Sequence, residues 1–231
     1  MSGDNRDVRR LARQIASSRP SPDPTLEQFH MTHESMANQV PDLANFMGDR
    51  TVVFIGDDDH LSVLLSATQP ATHSTVLEYD DRIIESILSW KDQLGLDNLT
   101  VAKYDVRNPL PADFTRCGAF CINPPYSSKT EAFGIKLWLS RALDATEEEC
   151  IGVMFLPTEQ WGLAWVAKNH LIVQDYLGDN GLIVVRVEPE RQAYVHTHDE
   201  GLASSTLYLM RVDPTRRVHV PTPEIPDAIY R

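Results

Sequence analysis

From Arg50 onward the chain alternates between short apolar runs and longer amphipathic stretches, and this alternation limits the folds open to it. Residues 51–55 (TVVFI), 118–122 (GAFCI), 151–156 (IGVMFL) and 182–187 (LIVVRV) are nearly continuous apolar runs. Runs of that length and β-branched content read as strands covered on both faces. Residues 75–79 (TVLEY), 99–104 and 204–211 read as three more strands. Helical periodicity falls between them, over 61–67, 81–94, 131–143 and 160–176. Strands separated by helices build a largely parallel sheet with helices on both faces. Little helical sequence separates the last two strands, so they are expected to pair antiparallel.

Ahead of this pattern, residues 4–17 have helical composition, with Arg6, Arg9, Arg10 and Arg13 among Val8, Leu11 and Ile15. The Pro- and Ser-rich residues 17–24 read as a linker. Residues 25–46 are helical again with a break near Thr32, which is placed to cap a helix through Ser35, and Gly48 ends it. The expected organisation is a helical arm and linker over 1–48, a catalytic domain over 49–213 and an irregular Pro-rich tail over 214–231.

Several classes are disfavoured by composition. No apolar run approaches the roughly 20 residues of a membrane span, and the N-terminal residues lack the apolar centre of a signal peptide. Cys117, Cys121 and Cys150 form no CxxC pair, which suits buried thiols in a reducing, cytoplasmic setting. The net charge of −12 repels phosphate backbones and suits a polycationic small molecule. His196-Thr197-His198-Asp199 lacks a third ligand at metal spacing, so no metal is expected.

Ligands of open parallel sheets sit at the carboxyl ends of the strands. The first expected strand ends in Gly56-Asp57-Asp58-Asp59. Three successive carboxylates repel one another unless a cation is near, and they disfavour a pyrophosphate. A sulfonium or ammonium suits them, although capping of the next helix also accounts for such a loop. The second strand ends in Glu78, followed by Asp80, either of which can accept ribose hydroxyls. The third is followed by Asp105, an acceptor for an adenine amino group or a partner for Arg107. The fourth runs into Asn123-Pro124-Pro125-Tyr126, where the prolines fix an extended exit from the sheet. There the Asn123 amide, the Pro124 carbonyl and the Tyr126 ring can aim an amine nitrogen at an electrophile. Trp161 and Tyr194 are candidate walls of the acceptor pocket.

Those strand ends resemble the Rossmann-like transferases that use S-adenosylmethionine. Phe54-Ile55-Gly56-Asp57-Asp58-Asp59, Val76-Leu77-Glu78-Tyr79-Asp80-Asp81-Arg82 and Asn123-Pro124-Pro125 are similar to the branched-chain polyamine synthases (bis-aminopropyl spermidine synthases). The likeness runs over roughly residues 28–212, with weaker echoes at 157–161 and 190–194. It implies a methyltransferase-type α/β fold, with decarboxylated S-adenosylmethionine as aminopropyl donor and a polyamine as acceptor. Relatives of that family carry a winged-helix domain ahead of this region, where this chain has a short helical arm. They also carry Asp where Asn123 stands, and Asn with Tyr126 is instead the pattern of amino-methyltransferases acting on adenine or amide nitrogens.

The expected function is therefore alkyl transfer from an adenosyl sulfonium to an amine, with aminopropyl transfer to a polyamine placed first. Asp57 and Asp58 would hold the donor's ammonium, Glu78 the ribose and Asp105 the adenine, while Asp59 or Glu159 would take the proton. S-adenosylmethionine-dependent methylation of an adenine or amide nitrogen is the alternative, and only there is nucleic acid a partner. A non-catalytic ligand-binding homologue is the second alternative. A homodimer is compatible with the sequence.

Overall fold

The structure is a computed structural model and describes residues 5–112, 114–125, 132–158, 164–195, 203–218 and 220. In chain order its elements are α1 (Asn5–Ser18), α2 (His33–Met47), β1 (Val52–Ile55), α3 (Leu61–Thr68), β2 (Ser74–Glu78), α4 (Asp81–Leu94) and β3 (Leu99–Lys103). They continue as β4 (Cys117–Ile122), α5 (Phe133–Asp144), β5 (Thr146–Pro157), α6 (Ala164–Asp179), β6 (Leu182–Ala193) and β7 (Ala203–Arg211). A 3-10 turn, Pro24–Leu26, lies between α1 and α2.

The sheet has seven strands in the order β3-β2-β1-β4-β5-β7-β6. β1 to β5 run parallel, and β7 enters antiparallel to both β5 and β6. The expected α/β architecture is thus present, including the antiparallel pair. Strand alternation divides the core in two. Val52 and Phe54 of β1 pack beneath α1 to α4, whereas Val53 and Ile55 face α5 and α6. Val8, Ala12 and Ile15 of α1 are buried in the first of these clusters, while Arg9, Arg10 and Arg13 stay on the exposed side.

Local signals set the helix ends. The Thr32 hydroxyl accepts the Ser35 N–H at 3.2 Å, and Gly48 (φ +59°) closes α2. The apolar run of β6 departs from expectation: it is the edge strand, and Ile183, Val184, Val185 and Val187 are exposed. A continuous apolar run does not by itself show that both faces are covered. The three cysteines are buried and unpaired. Among the described residues no helix is long and apolar enough to cross a membrane.

Strand order reverses between β1 and β4, so the loops leaving β1, β2 and β4 emerge side by side at one edge. Gly134 of α5 lets the Asn-Pro-Pro turn lie against the helix. A Cβ at this glycine would stand 2.7 Å from the Pro125 carbonyl oxygen.

Candidate active site

The loops meet in a small cleft of about 70 Å³ that opens to solvent. Gly56, Asp57, Asp58, Glu78, Asn123, Pro124 and Tyr194 all line it, so seven of the residues picked from the sequence come together. Gly56 turns the chain at φ +74°, where a Cβ would meet the Trp138 indole nitrogen at 3.7 Å and Glu78 Oε2 at 3.9 Å.

The three loop carboxylates have different surroundings. Asp57 caps α3: its Oδ1 accepts the Leu61 N–H at 2.8 Å, and its Oδ2 accepts the Ser62 N–H at 3.1 Å and the Ser62 hydroxyl at 2.5 Å. Burial pushes its carboxyl up to about 8 despite those bonds. Asp59 does not reach the cleft, which corrects its expected role as a base. It is 2% exposed, and its Oδ1 accepts Arg19 Nη1 at 2.9 Å and the Met31 N–H at 2.7 Å.

Asp58, between them, is half-buried on the cleft wall, and its carboxylate takes no hydrogen bond from the described residues. Burial, reinforced by Asp59 and Glu78, raises its carboxyl well above the ordinary range, while Arg19 pulls it down. The cation that such a cluster requires is therefore Arg19, from the stretch expected to be a linker. His60 follows in a left-handed conformation (φ 58°), and burial lowers its imidazole to about 4.

Glu78 is the hinge between the first two loops. Its Oε2 accepts the Asp57 N–H at 2.9 Å, and its Oε1 accepts the N–H groups of Tyr79 and Asp80 at 2.7 and 2.8 Å. Burial raises its carboxyl. Asn123 is half-buried at the cleft, followed by buried Pro124 and Pro125, and its amide has no side-chain hydrogen bond among the described residues.

Two expected cofactor residues lie elsewhere. Asp80 caps α4 and pairs with Arg82 Nη2 at 2.5 Å; burial opposes its ionisation, but the Arg82 and Gln28 hydrogen bonds hold it below the ordinary value. Asp105 pairs with Arg107 Nη2 at 2.6 Å, and this pairing likewise outweighs burial and keeps its carboxyl low. Neither is among the residues lining the cleft, and each pairs with an arginine two residues on. Tyr126, Glu159 and Trp161 lie outside the described residues, as does the loop 196–199. Among the described residues, no three His, Cys, Asp or Glu side chains are grouped as a metal site requires.

Sequence reasoning missed one whole wall. Leu26, Glu27, Gln28 and Phe29 also line the cleft, as do Tyr79, Pro125 and Trp138. The local signal was Asp23-Pro24, where the Asp23 carboxylate accepts the Thr25 N–H at 2.8 Å and opens the 3-10 turn. Nothing local in the sequence placed that turn over the strand ends.

The family model described as "Branched-chain polyamine synthase A C-terminal domain" matches residues 7–217. An uncharacterized protein of Methanocaldococcus jannaschii is 27% identical over 223 residues, 93% of this chain and 52% of that protein. The N(4)-bis(aminopropyl)spermidine synthase of the same organism is 29% identical over 147 residues, covering 62% of this chain and 41% of the relative. The chain thus spans about half the length, or less, of these curated relatives. Among solved structures, the branched-chain polyamine synthase of Thermus thermophilus, in complex with N4-aminopropylspermidine and 5'-methylthioadenosine, superposes with a TM-score of 0.75 at 23% identity. That match covers 94% of this chain and 68% of the other and shows the shared fold.

Proposed function

The chain belongs to the branched-chain polyamine synthase A C-terminal domain family, and on that premise we propose that its cleft transfers an aminopropyl group from decarboxylated S-adenosylmethionine to a polyamine nitrogen. The observation that carries this reading is Asp58, a carboxylate at the cleft without a hydrogen bond from the described residues, beside a Gly56 turn too acidic for a phosphate. Decarboxylation removes the donor's carboxylate and leaves an ammonium, which an acidic wall attracts and a free amino-acid carboxylate would not match. Glu78 would accept the ribose hydroxyls, since a carboxylate has lone pairs left after its three backbone bonds.

The acceptor nitrogen attacks the carbon of the aminopropyl group attached to sulfur. The N–C bond forms as the C–S bond breaks, and sulfur leaves with the electron pair as neutral methylthioadenosine. The nitrogen then loses one proton. Asn123 cannot accept it, because an amide is not a base at neutral pH, so its oxygen and the Pro124 carbonyl orient the nitrogen. Glu159, the remaining carboxylate expected from the sequence to take the proton, is the proton acceptor of this scheme, while Asp58 is reserved for the donor's ammonium. Alignment supplies most of the rate, since a sulfonium is already a good leaving group.

Incubation with decarboxylated S-adenosylmethionine and spermidine, followed by mass spectrometry, should yield one methylthioadenosine for each aminopropyl group added to spermidine. Methylthioadenosine without any aminopropylated amine would overturn the reading. Asn123 itself favours a second one, methylation of a planar amine or amide by S-adenosylmethionine, because such nitrogens need no strong base. Labelled methyl in a nucleic-acid or protein pool would select it.

A further inference from the structure

Asp59, Arg19 and the Met31 backbone form a closed three-membered cluster behind the cleft. Arg19 Nη1 donates to Asp59 Oδ1 at 2.9 Å, Arg19 Nη2 donates to the Met31 carbonyl at 2.5 Å, and the Met31 N–H donates to the same Asp59 oxygen at 2.7 Å. Both charged side chains are 3% exposed. One end of this cluster belongs to the acidic loop, one residue from Asp58. The other end, Met31, lies two residues beyond Phe29, the last residue of the wall formed by residues 26–29.

The wall has further attachments. Gln28 Nε2 donates to Asp80 Oδ2 at 3.0 Å, beside the Glu78 end of the cleft. Beyond Met31, the Thr32 N–H donates to the Ala193 carbonyl at 2.8 Å and the Val195 N–H to the His30 carbonyl at 2.7 Å. Residues 26–29 are thereby suspended between Asp80 on one side and the Arg19 cluster on the other. Because Gln28 reaches the end of β2, the wall stands over the Glu78 side of the cleft.

We propose that Arg19 is a positioning residue for the donor: by joining Asp59 to the Met31 backbone it fixes the wall of residues 26–29 over the acidic loop and Glu78. The inference rests on the reading that this cleft takes an adenosyl donor. Arg19 touches no substrate; it acts through the wall and through the loop that carries Asp58. A guanidinium suits the task because two of its nitrogens reach two acceptors at once, which an ammonium does not do in the same geometry.

Three variants test this: Arg19→Met, Arg19→Lys, and the neutral pair Arg19→Met with Asp59→Asn. Removing one member of a buried ion pair can unfold a protein, whereas neutralising both is tolerated far better, so the paired variant keeps the test available. The amide introduced by Asp59→Asn still offers an oxygen to the Met31 N–H. Affinity for methylthioadenosine is measured by calorimetry, and hydrogen exchange is followed over residues 24–32. The expected result is a Kd raised at least about tenfold in Arg19→Met and in the paired variant, with partial recovery in Arg19→Lys. Exchange should accelerate over residues 26–32 while the β1–β4 core stays protected. With saturating donor, kcat should stay within about twofold of wild type, so that the loss appears in the donor KM. Unchanged methylthioadenosine affinity in the folded paired variant, or unchanged exchange of the wall, overturns the proposal. If wild type itself fails to bind methylthioadenosine, the donor reading fails, and the exchange measurement alone still decides whether Arg19 holds the wall.

Discussion

Asp57, Asp58 and Asp59 are adjacent and chemically identical, yet the fold gives each a separate task. Asp57 caps α3, Asp59 binds Arg19, and Asp58 is left facing the cleft. Asp58→Asn should therefore weaken decarboxylated S-adenosylmethionine by at least about tenfold (~1.4 kcal/mol) and leave methylthioadenosine, which lacks the ammonium, within about twofold by calorimetry. The same burial has a consequence for stability. The Asp57 carboxyl rises from 3.8 to about 8, so between these values the folded chain holds a proton that the unfolded chain has lost. Stability from this group falls as pH rises through that window. His60, lowered from 6.5 to about 4, acts in the opposite direction below pH 6.5. Above that pH the carboxyls act alone, with Asp58, Asp59 and Glu78 shifted in the same direction as Asp57. The ligand-free melting temperature should fall between about pH 6.5 and 8, with a slope of about 1.4 kcal/mol per pH unit for each carboxyl out of balance. A flat or rising profile would contradict this assignment.

Among the elements, the strands were readable because burial on both faces leaves an uninterrupted apolar run, as in β1 and β5. The same signal misled at β6, where the strand is an exposed edge. Caps were readable because they are local: Thr32 and Ser35 are three residues apart. The wall of residues 26–29 was not, since it depends on contacts between Arg19 and Asp59 and between Gln28 and Asp80, far apart in the chain. Asp80 and Asp105 instead have a local partner two residues on, Arg82 and Arg107, the alternative that the sequence left open for Asp105. The seating of the Asn-Pro-Pro turn also depends on a distant residue, Gly134. Gly134→Ala would push a methyl against the Pro125 carbonyl and displace the turn. It should destabilise the fold by about 1–3 kcal/mol, and it should lower the transfer rate at least about tenfold while donor affinity changes little. Melting curves with single-turnover kinetics check this, and an unchanged rate would show that the turn does not orient the acceptor.

At the scale of the whole molecule, the sheet gathers strand ends that are neighbours in space, and residues 26–29 of the N-terminal segment join them in lining the cleft. A net charge of −12 surrounds a cleft whose own carboxylates are crowded, so a cationic ligand relieves repulsion that the empty protein must bear. The central claim is that this acidic cleft selects a donor that has an ammonium and no carboxylate. Side-by-side calorimetry with decarboxylated and intact S-adenosylmethionine tests it most directly. Binding of the decarboxylated form at least about tenfold more tightly is the predicted result, and equal or tighter binding of intact S-adenosylmethionine would contradict the account.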